Sequence, residues 1–277
     1  MNNDTRNALP GLRPAPTVWD EVNWSTPSIL GADRTEDAVS HLVAYTANRK
    51  GNTGPAYTGS LFTELSGGGD RPEVAHGFTA EDIVAVSTLS VHISATHALQ
   101  LMGATQSEAG EARAAIERGE RRLREATSTP IDAVEVGRLL AQLPTDLDLE
   151  DATDDDLEIA DQLWREIRRR GLGPTRVSKL MARKRPRLCP VIARDVRRQL
   201  GHGKKRTDFF ASVREVLRDE SLGLADHLHE LRDAAVAKAA KSPATGSESV
   251  ARIRRLTDLR VLDIVLWMEE QEIRRQK

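Results

Sequence analysis

The chain has 277 residues, of which 39% are hydrophobic and 30% charged, enough for one large domain or two small ones with a sizeable core. Its single cysteine, Cys189, excludes an internal disulfide framework and fits a reducing compartment. No apolar run is long enough for a transmembrane helix, and the stretch from Met1 to Pro16 lacks the apolar core of a signal peptide, so a cytoplasmic protein without membrane contact is expected.

Residues 1–30 are rich in Pro, Asn and Thr and read as an irregular arm that Trp19 and Trp24 pin to the body. Asp33 with Glu36 three residues later marks a helix start; the helix runs to Ala47 and buries Val39, Leu42 and Val43. Tyr57 to Leu65 reads as a short helix with Tyr57, Leu61, Phe62 and Leu65 inward. Gly67-Gly68-Gly69-Asp70 reads as a flexible loop, and because no Lys-Ser or Lys-Thr follows, the phosphate-loop pattern is not met. Thr79 with Asp82 has the form of a capping box. From Ala80 to Met102 the chain is apolar nearly all round, with Ile83, Val84, Val86, Leu89, Val91, Ile93 and Leu99, which predicts one long buried helix. His92 and His97 lie five apart on it, a spacing that puts them on different faces; His227 and His229 diverge likewise, and no metal-ligand set is expected.

Ser107 to Ala126 reads as a polar, charged helix. Thr129-Pro130-Ile131-Asp132 opens the next, which buries Val134, Val136, Leu139, Leu140 and Leu143. Leu157, Ala160, Leu163, Trp164 and Ile167 recur at helical spacing. Gly171 can end that helix, because a glycine past the last turn takes a positive φ without a Cβ clash, and Pro174 suits the first turn of the next. The exiting helix is expected to bury Val177, Leu180 and Met181 and to expose Arg176, Lys179 and Arg183. A loop bracketed by Pro186 and Pro190 then turns into a third basic helix. Cys189, between two prolines, reads as a small half-buried apolar residue rather than a thiol activated by Arg185, Arg187 and Arg194. After the basic loop Gly201 to Arg206, Thr207 caps a helix carrying Phe209, Phe210, Val213, Val216 and Leu217. Another helix spans Leu222 to Lys241, Ser242 to Ser247 reads as a linker, and a last helix from Glu248 to Arg275 docks on the body.

Charge is segregated. Trp164 to Arg206 holds 16 Lys and Arg against Glu166 and Asp195, whereas Asp146 to Asp161 holds nine acids and no base; the net charge of −2 hides this polarity. A basic run of this kind is the electrostatic footprint of nucleic-acid binders. The competing reading is an internal salt-bridge network between the two runs. A glycine hairpin at a helix N-terminus also brings backbone N–H groups and the positive end of the dipole to where a phosphate can approach.

The order helix, G-L-G-P hairpin, helix, short loop, helix over residues 154–201 is similar to the core of the helix-hairpin-helix DNA glycosylases. That resemblance implies a hairpin gripping one DNA strand, an Asp opening the third helix that drives loss of a damaged base, and, in bifunctional members, a nucleophilic Lys. Counting back from Val196-Arg197-Arg198, Ala193 stands at the Asp position, and Thr175 stands at the Lys position. Asp195 lies two residues on, about 200° around a helix, and Lys179 lies one turn past Thr175; these two are the catalytic candidates if a reaction survives. Hairpin, basic run and resemblance together predict nucleic-acid contacts by Gly171, Gly173, Thr175, Arg176, Lys179, Arg183, Lys184, Arg185, Arg187, Arg197 and Arg198. A broader resemblance spans most of the chain. K-L-M-A-R-K-R-P-R-L-C-P-V at Lys179 to Val191, Y-T-G-S-L-F at Tyr57 to Phe62, F-T-A-E-D-I-V-A-V-S-T-L-S-V at Phe78 to Val91 and R-V-L-D-I-V-L-W-M at Arg260 to Met268 resemble the signature of an uncharacterised bacterial domain family.

The expected class is all-α with nine or ten helices, in four regions: the arm 1–30, an N-terminal helical region 31–145, a helix-hairpin-helix-like basic region 146–241, and a linker with a docking helix 242–277, forming one compact domain. Three functions are carried forward. The first is a helix-hairpin-helix DNA-binding protein without the usual glycosylase residues; the second, an interaction module whose basic surface meets an acidic protein; the third, an active glycosylase or lyase using Asp195 or Lys179. The expected partner is DNA or another polyanion, with no cofactor and no metal.

Overall fold

The computed structural model describes residues 27–49, 54–104, 129–201, 209–241 and 246–277. Residues 1–26 of the expected arm, with Trp19 and Trp24, the helix from Ser107 to Ala126, the basic residues of the 202–206 loop and the Thr207 cap lie outside the described residues; the end of the arm, Ser28–Leu30, is a 3-10 turn with Ile29 and Leu30 buried. Every longer regular element among the described residues is helical, and the chain is all-α. In chain order the helices are α1 (Thr35–Thr46), α2 (Ala80–Ser87), α3 (Ala95–Leu101), α4 (Ala133–Gln142), α5 (Asp154–Ile167), α6 (Pro174–Lys184), α7 (Arg194–Gln199), α8 (Phe209–Arg218), α9 (Leu224–Ala240), α10 (Gly246–Arg254) and α11 (Asp258–Gln276). They outnumber the expected set because two expected helices are each broken in two.

The chain divides into two compact units, Met1–Ser60 with Ile192–Lys277, and Leu61–Val191. In the first, α9 packs on α1, α8, α10 and α11, and α11 also packs on α1 and α7. Two stretches far apart in sequence meet here. Tyr45 and Tyr57 stack at 5.4 Å between ring centroids, and Trp267 meets both edge-on at 6.0 and 5.7 Å, the offset and T-shaped geometries that the ring quadrupole favours. Buried Arg260 lies over the Tyr45 ring, donates to Tyr45 Oη at 2.7 Å and to the Gly59 carbonyl at 3.2 Å, and pairs with Asp263 one turn on. The expected single C-terminal helix is instead α10 and α11. Thr257 adopts extended backbone and its hydroxyl accepts from the Arg260 N–H, so a new helix starts where the apolar pattern runs on.

In the second unit α4 packs on α3 and α5, and α6 packs on α2 and α5. The expected long helix from Ala80 to Met102 is α2 and α3, separated by Thr88 to Ser94. Ser90 takes φ of 59° and Ser94 caps the new start through the His97 N–H, so serine capping chemistry overrides an apolar run that suits a helix on composition alone. The break also leaves Val84 and Leu99 exposed rather than buried. Val134 is likewise exposed, because Asp132 is the N-cap of α4 and the first turn faces out. Val136, Leu139, Leu140 and Leu143 are buried as expected. Tyr57 to Leu65 forms a short 3-10 turn over Thr58–Leu61 in place of an α-helix, with only Phe62 of the four expected apolar anchors fully buried.

Candidate nucleic-acid interface

The hairpin forms. α5 starts with a reciprocal capping box, Thr153 with Asp156, and ends at Ile167. Arg169 and Leu172 pair across the turn, Gly171 takes φ of +84°, and Gly173 is the N-cap of α6 with Pro174 in its first turn. No side chain caps α6. A Cβ added at Gly173 would meet nothing within 4 Å, so its approach is open. Arg168 braces the turn by donating to the Arg169 and Leu172 carbonyls at 2.9 and 3.0 Å, and Arg176 donates to Gly171 at 3.2 Å and to His92 at 2.7 Å. Arg170, Gly171 and Pro174 are exposed, and Thr175 and Arg176 are half-buried. His97 sits against the turn, its Cε1 3.3 Å from where a Gly171 Cβ would be, with Nδ1 2.8 Å from Ser94 Oγ. Burial holds the His97 pKa below its ordinary value, against a hydrogen bond to the Arg170 backbone that raises it.

The rest of the basic run behaves differently from the expected solvated face. Lys179, Arg183, Lys184 and Arg185 are buried, and Arg183 and Arg185 are among the largest fully buried side chains. Their donors serve main-chain carbonyls, in loops and at the C-terminal end of α4. Arg183 donates to Phe62, Thr63 and Leu65 at 2.7, 3.0 and 2.6 Å. Lys184 donates to Gly69 and Val74 at 3.2 and 2.9 Å and lies 5.4 Å from the Phe78 ring centroid. Arg185 donates to Leu143, at the C-terminal end of α4, and to Ala75 at 2.7 and 3.0 Å, and also to Leu140. Lys179 reaches the Leu89 carbonyl at 2.7 Å, just where α2 breaks. Three consecutive residues at the end of one helix thus bind three stretches of main chain, 62–65, 69–75 and the C-terminal end of α4.

Asp82 is the acid at the centre of this cluster. It is the third residue of α2, and its Oδ2 accepts from the Thr79 N–H at 3.0 Å as the return half of the capping box. The same carboxylate takes Arg183 Nε at 2.9 Å on Oδ1 and forms an ion pair with Lys184. Burial lowers the pKa of Lys184, opposed by its hydrogen bond to Asp82, and burial also lowers that of Arg185. An ionic group out of water is tolerated only when its donors are matched, and here oxygens of the main chain do most of the matching. The loop from Gly67 to Asp70, read from sequence as flexible, is held by these bonds: Gly68 and Gly69 are buried, and a Cβ on Gly69 would lie 2.5 Å from the Arg183 carbonyl.

The remaining expected contact residues divide between the two units, Arg187 in the second and Arg197 and Arg198 in the first. Exposed Arg187 pairs with Asp148. Exposed Arg198 pairs with Glu270, and half-buried Arg197 has its Nε buried without a hydrogen-bond partner. Arg169, outside the expected set, is buried, donating to the Thr129 carbonyl at 2.8 Å and pairing with Glu166. Among the described residues, ion pairs link the acidic and basic runs at Arg187 with Asp148, and at Arg165 with Asp161 and Glu158. Lys179 and Arg183 to Arg185, within the basic run, are aimed at main-chain carbonyls. Of the two catalytic candidates, Lys179 is buried on a carbonyl, and Asp195, in α7 of the first unit, pairs with Arg274 and Arg194. Ala193 is the N-cap of α7 and supplies no capping side chain. Cys189 is buried and its thiol is pushed up to about 12 by burial, against the pull of Arg185.

The model of a family of unknown function, DUF6308, matches residues 38–139 and 132–270. The chain belongs to the DUF6308 family. No curated protein and no solved structure gives a match. Three of the four sequence stretches quoted for the broader resemblance carry buried charges of this DUF6308 chain, Asp82 in one, Lys179 to Arg185 in another, and Arg260 and Asp263 in a third, and Gly59, which accepts from Arg260, lies in the fourth; Arg169, Arg214, Arg252, Glu269 and Glu270 are buried outside them. No helix among the described residues is long and apolar enough to cross a membrane.

Proposed function

We propose that this DUF6308 protein binds the phosphate backbone of DNA through the Gly171–Gly173 hairpin, without catalysis. The observation that carries the reading is the open N-cap at Gly173: no side chain caps α6, nothing lies within 4 Å of a Cβ placed there, and Arg168, Arg170 and Arg176 flank it. A helix N-terminus with close backbone access favours a phosphate oxygen. Contacts of this kind position a protein on a duplex without reading its sequence. The footprint is smaller than the basic run suggests, since Lys179, Arg183, Lys184 and Arg185 are engaged inside the fold.

Fluorescence polarisation with labelled duplex and single-stranded DNA tests this. Each neutralised phosphate contributes about −0.9 to the slope of log affinity on log salt, so a three-arginine hairpin gives a slope near −3 rather than the much steeper one of a 16-cation face. A slope of zero removes phosphate contacts from the function. Equal displacement of the DNA by polyglutamate of matched charge favours the other reading, an acidic protein partner on the same arginines.

A further inference from the structure

We propose that His41, Glu269 and Glu272 form a binding site for a divalent transition-metal ion. The side chains come from α1 and α11, which pack together in the first unit. Glu269 and Glu272 are one turn apart on α11, so their carboxylates leave the same face, and His41 meets them from α1. His41 Nε2 lies 3.3 Å from Glu269 Oε2 and 3.7 Å from Glu272 Oε2. One ligand atom from each of the three residues lies within 4.8 Å of the other two. An ion with bonds of about 2.1 Å holds tetrahedral ligands about 3.4 Å apart and adjacent octahedral ligands about 3.0 Å apart. The two measured separations fit such an ion with side-chain adjustments only.

The donor set indicates which ions. One imidazole and two carboxylates suit zinc, manganese or ferrous iron, whereas calcium takes six to eight oxygens and magnesium keeps most of its water. Glu269 is buried and Glu272 is half exposed, with 51% of its side-chain surface accessible, so solvent reaches the site from the Glu272 side and water can complete the coordination. Arg34 donates to Glu269 Oε2 at 3.2 Å and also pairs with Asp37. A carboxylate has about four lone-pair sites, so Arg34 can orient Glu269 while another lone pair faces the ion, the role outer partners play around metal ligands. The charges of Arg34 and Asp37 cancel, leaving the two glutamates to attract a dication. Only Glu269 is within hydrogen-bond range of the imidazole; Glu272, at 3.7 Å, approaches it without a hydrogen bond.

The test uses the full chain, stripped with EDTA and titrated with Zn²⁺ and, separately, Mn²⁺ by calorimetry, with Tm read in parallel. The expected result is saturable binding of one equivalent of at least one of the two ions and a Tm raised by that ion. Glu272→Gln, at a half-exposed position, keeps the helical circular dichroism, weakens binding at least tenfold and loses the Tm rise; His41→Gln abolishes binding. Absence of one-to-one binding by both ions overturns the proposal. So does unchanged affinity in Glu272→Gln, whose fold does not depend on the site, even if His41→Gln fails to fold. The DNA-binding reading rests on other residues and stands or falls separately.

Discussion

The Asp82 carboxylate and the Arg183 guanidinium meet at 2.9 Å with only 1% of either side chain exposed. The same carboxylate serves Lys184 and closes the capping box of α2. Removing it leaves two buried cations with carbonyls alone. Breaking a buried pair from one side costs about 3–5 kcal/mol, so Asp82→Ala is expected to lower the unfolding free energy by about that much. Urea unfolding followed by circular dichroism measures it; a loss below about 1 kcal/mol, the size of one lost helix cap, would show that the carbonyls suffice.

Gly69 tests the loop side of the cluster. A Cβ there would lie 2.5 Å from the Arg183 carbonyl and 2.8 Å from Asp82 Oδ1. Neither atom can yield without disturbing the ion pair, and overpacking of this sort costs about 1–3 kcal/mol. Gly69→Ala is expected to destabilise by that amount. Gly77→Ala, where a Cβ meets nothing within 4 Å, is the control and should stay within about 0.5 kcal/mol of the parent. Equal Tm values for the two variants would contradict a loop clamped by Arg183 and Lys184.

At Gly173 the fold and the proposed function respond in opposite directions. Its φ is −72°, open to any residue, and it is the N-cap of α6. Aspartate is a favoured N-cap, so Gly173→Asp is expected to keep or slightly raise Tm while its charge repels phosphate and DNA affinity falls at least tenfold. Arg170→Ala should weaken binding by less and lower the salt slope by about one. A Gly173→Asp protein that melts normally and binds DNA as the parent does would take the hairpin out of the mechanism.

His227 makes the first unit acid-sensitive. It is buried in α9, its Nε2 has no hydrogen-bond partner, and burial lowers its pKa, only partly opposed by Glu230. Above the unfolded value of about 6.5 the ring is neutral in both states and stability is full. Below it the unfolded chain takes up a proton that the folded chain resists, so stability drains away as pH falls from about 6.5 through the lower folded pKa. His97 shifts in the same direction. Urea midpoints between pH 7.5 and 5 should fall with acid and fall less in His227→Leu; identical pH profiles would exclude His227 as a source.

Local signals were legible where the chain makes its own bonds. The capping box at Thr79, the helix start at Thr129–Asp132 and the G-L-G-P turn are interactions between residues a few positions apart, and residue type suffices to find them; the same capping chemistry at Thr153 and Asp156 emerged only with the fold. Helix breaks were harder. Ser94 and Thr257 carry cap chemistry inside apolar runs, and periodicity outweighed one hydroxyl in each reading. The charged face of α6 was harder still, because a solvated arginine and one bound to buried carbonyls look alike in a sequence. One clue was present: Arg183, Lys184 and Arg185 are consecutive, so they point to different sides of a helix and cannot share one solvated face.

An all-α chain, the G-L-G-P turn and most of the apolar positions of the two cores follow from spacing along one stretch of chain. Tertiary structure alone decided what the charges do. Asp82 lies 101 residues from Arg183, and His41 lies 228 residues from Glu269. Whether a charge at such a position meets water, a carbonyl or an opposite charge depends on which loop is folded against it. The carbonyls that receive Arg183, Lys184 and Arg185 belong to main chain that every residue possesses, so side-chain identity at Phe62, Thr63, Val74 or Leu143 carries no trace of the bond it makes.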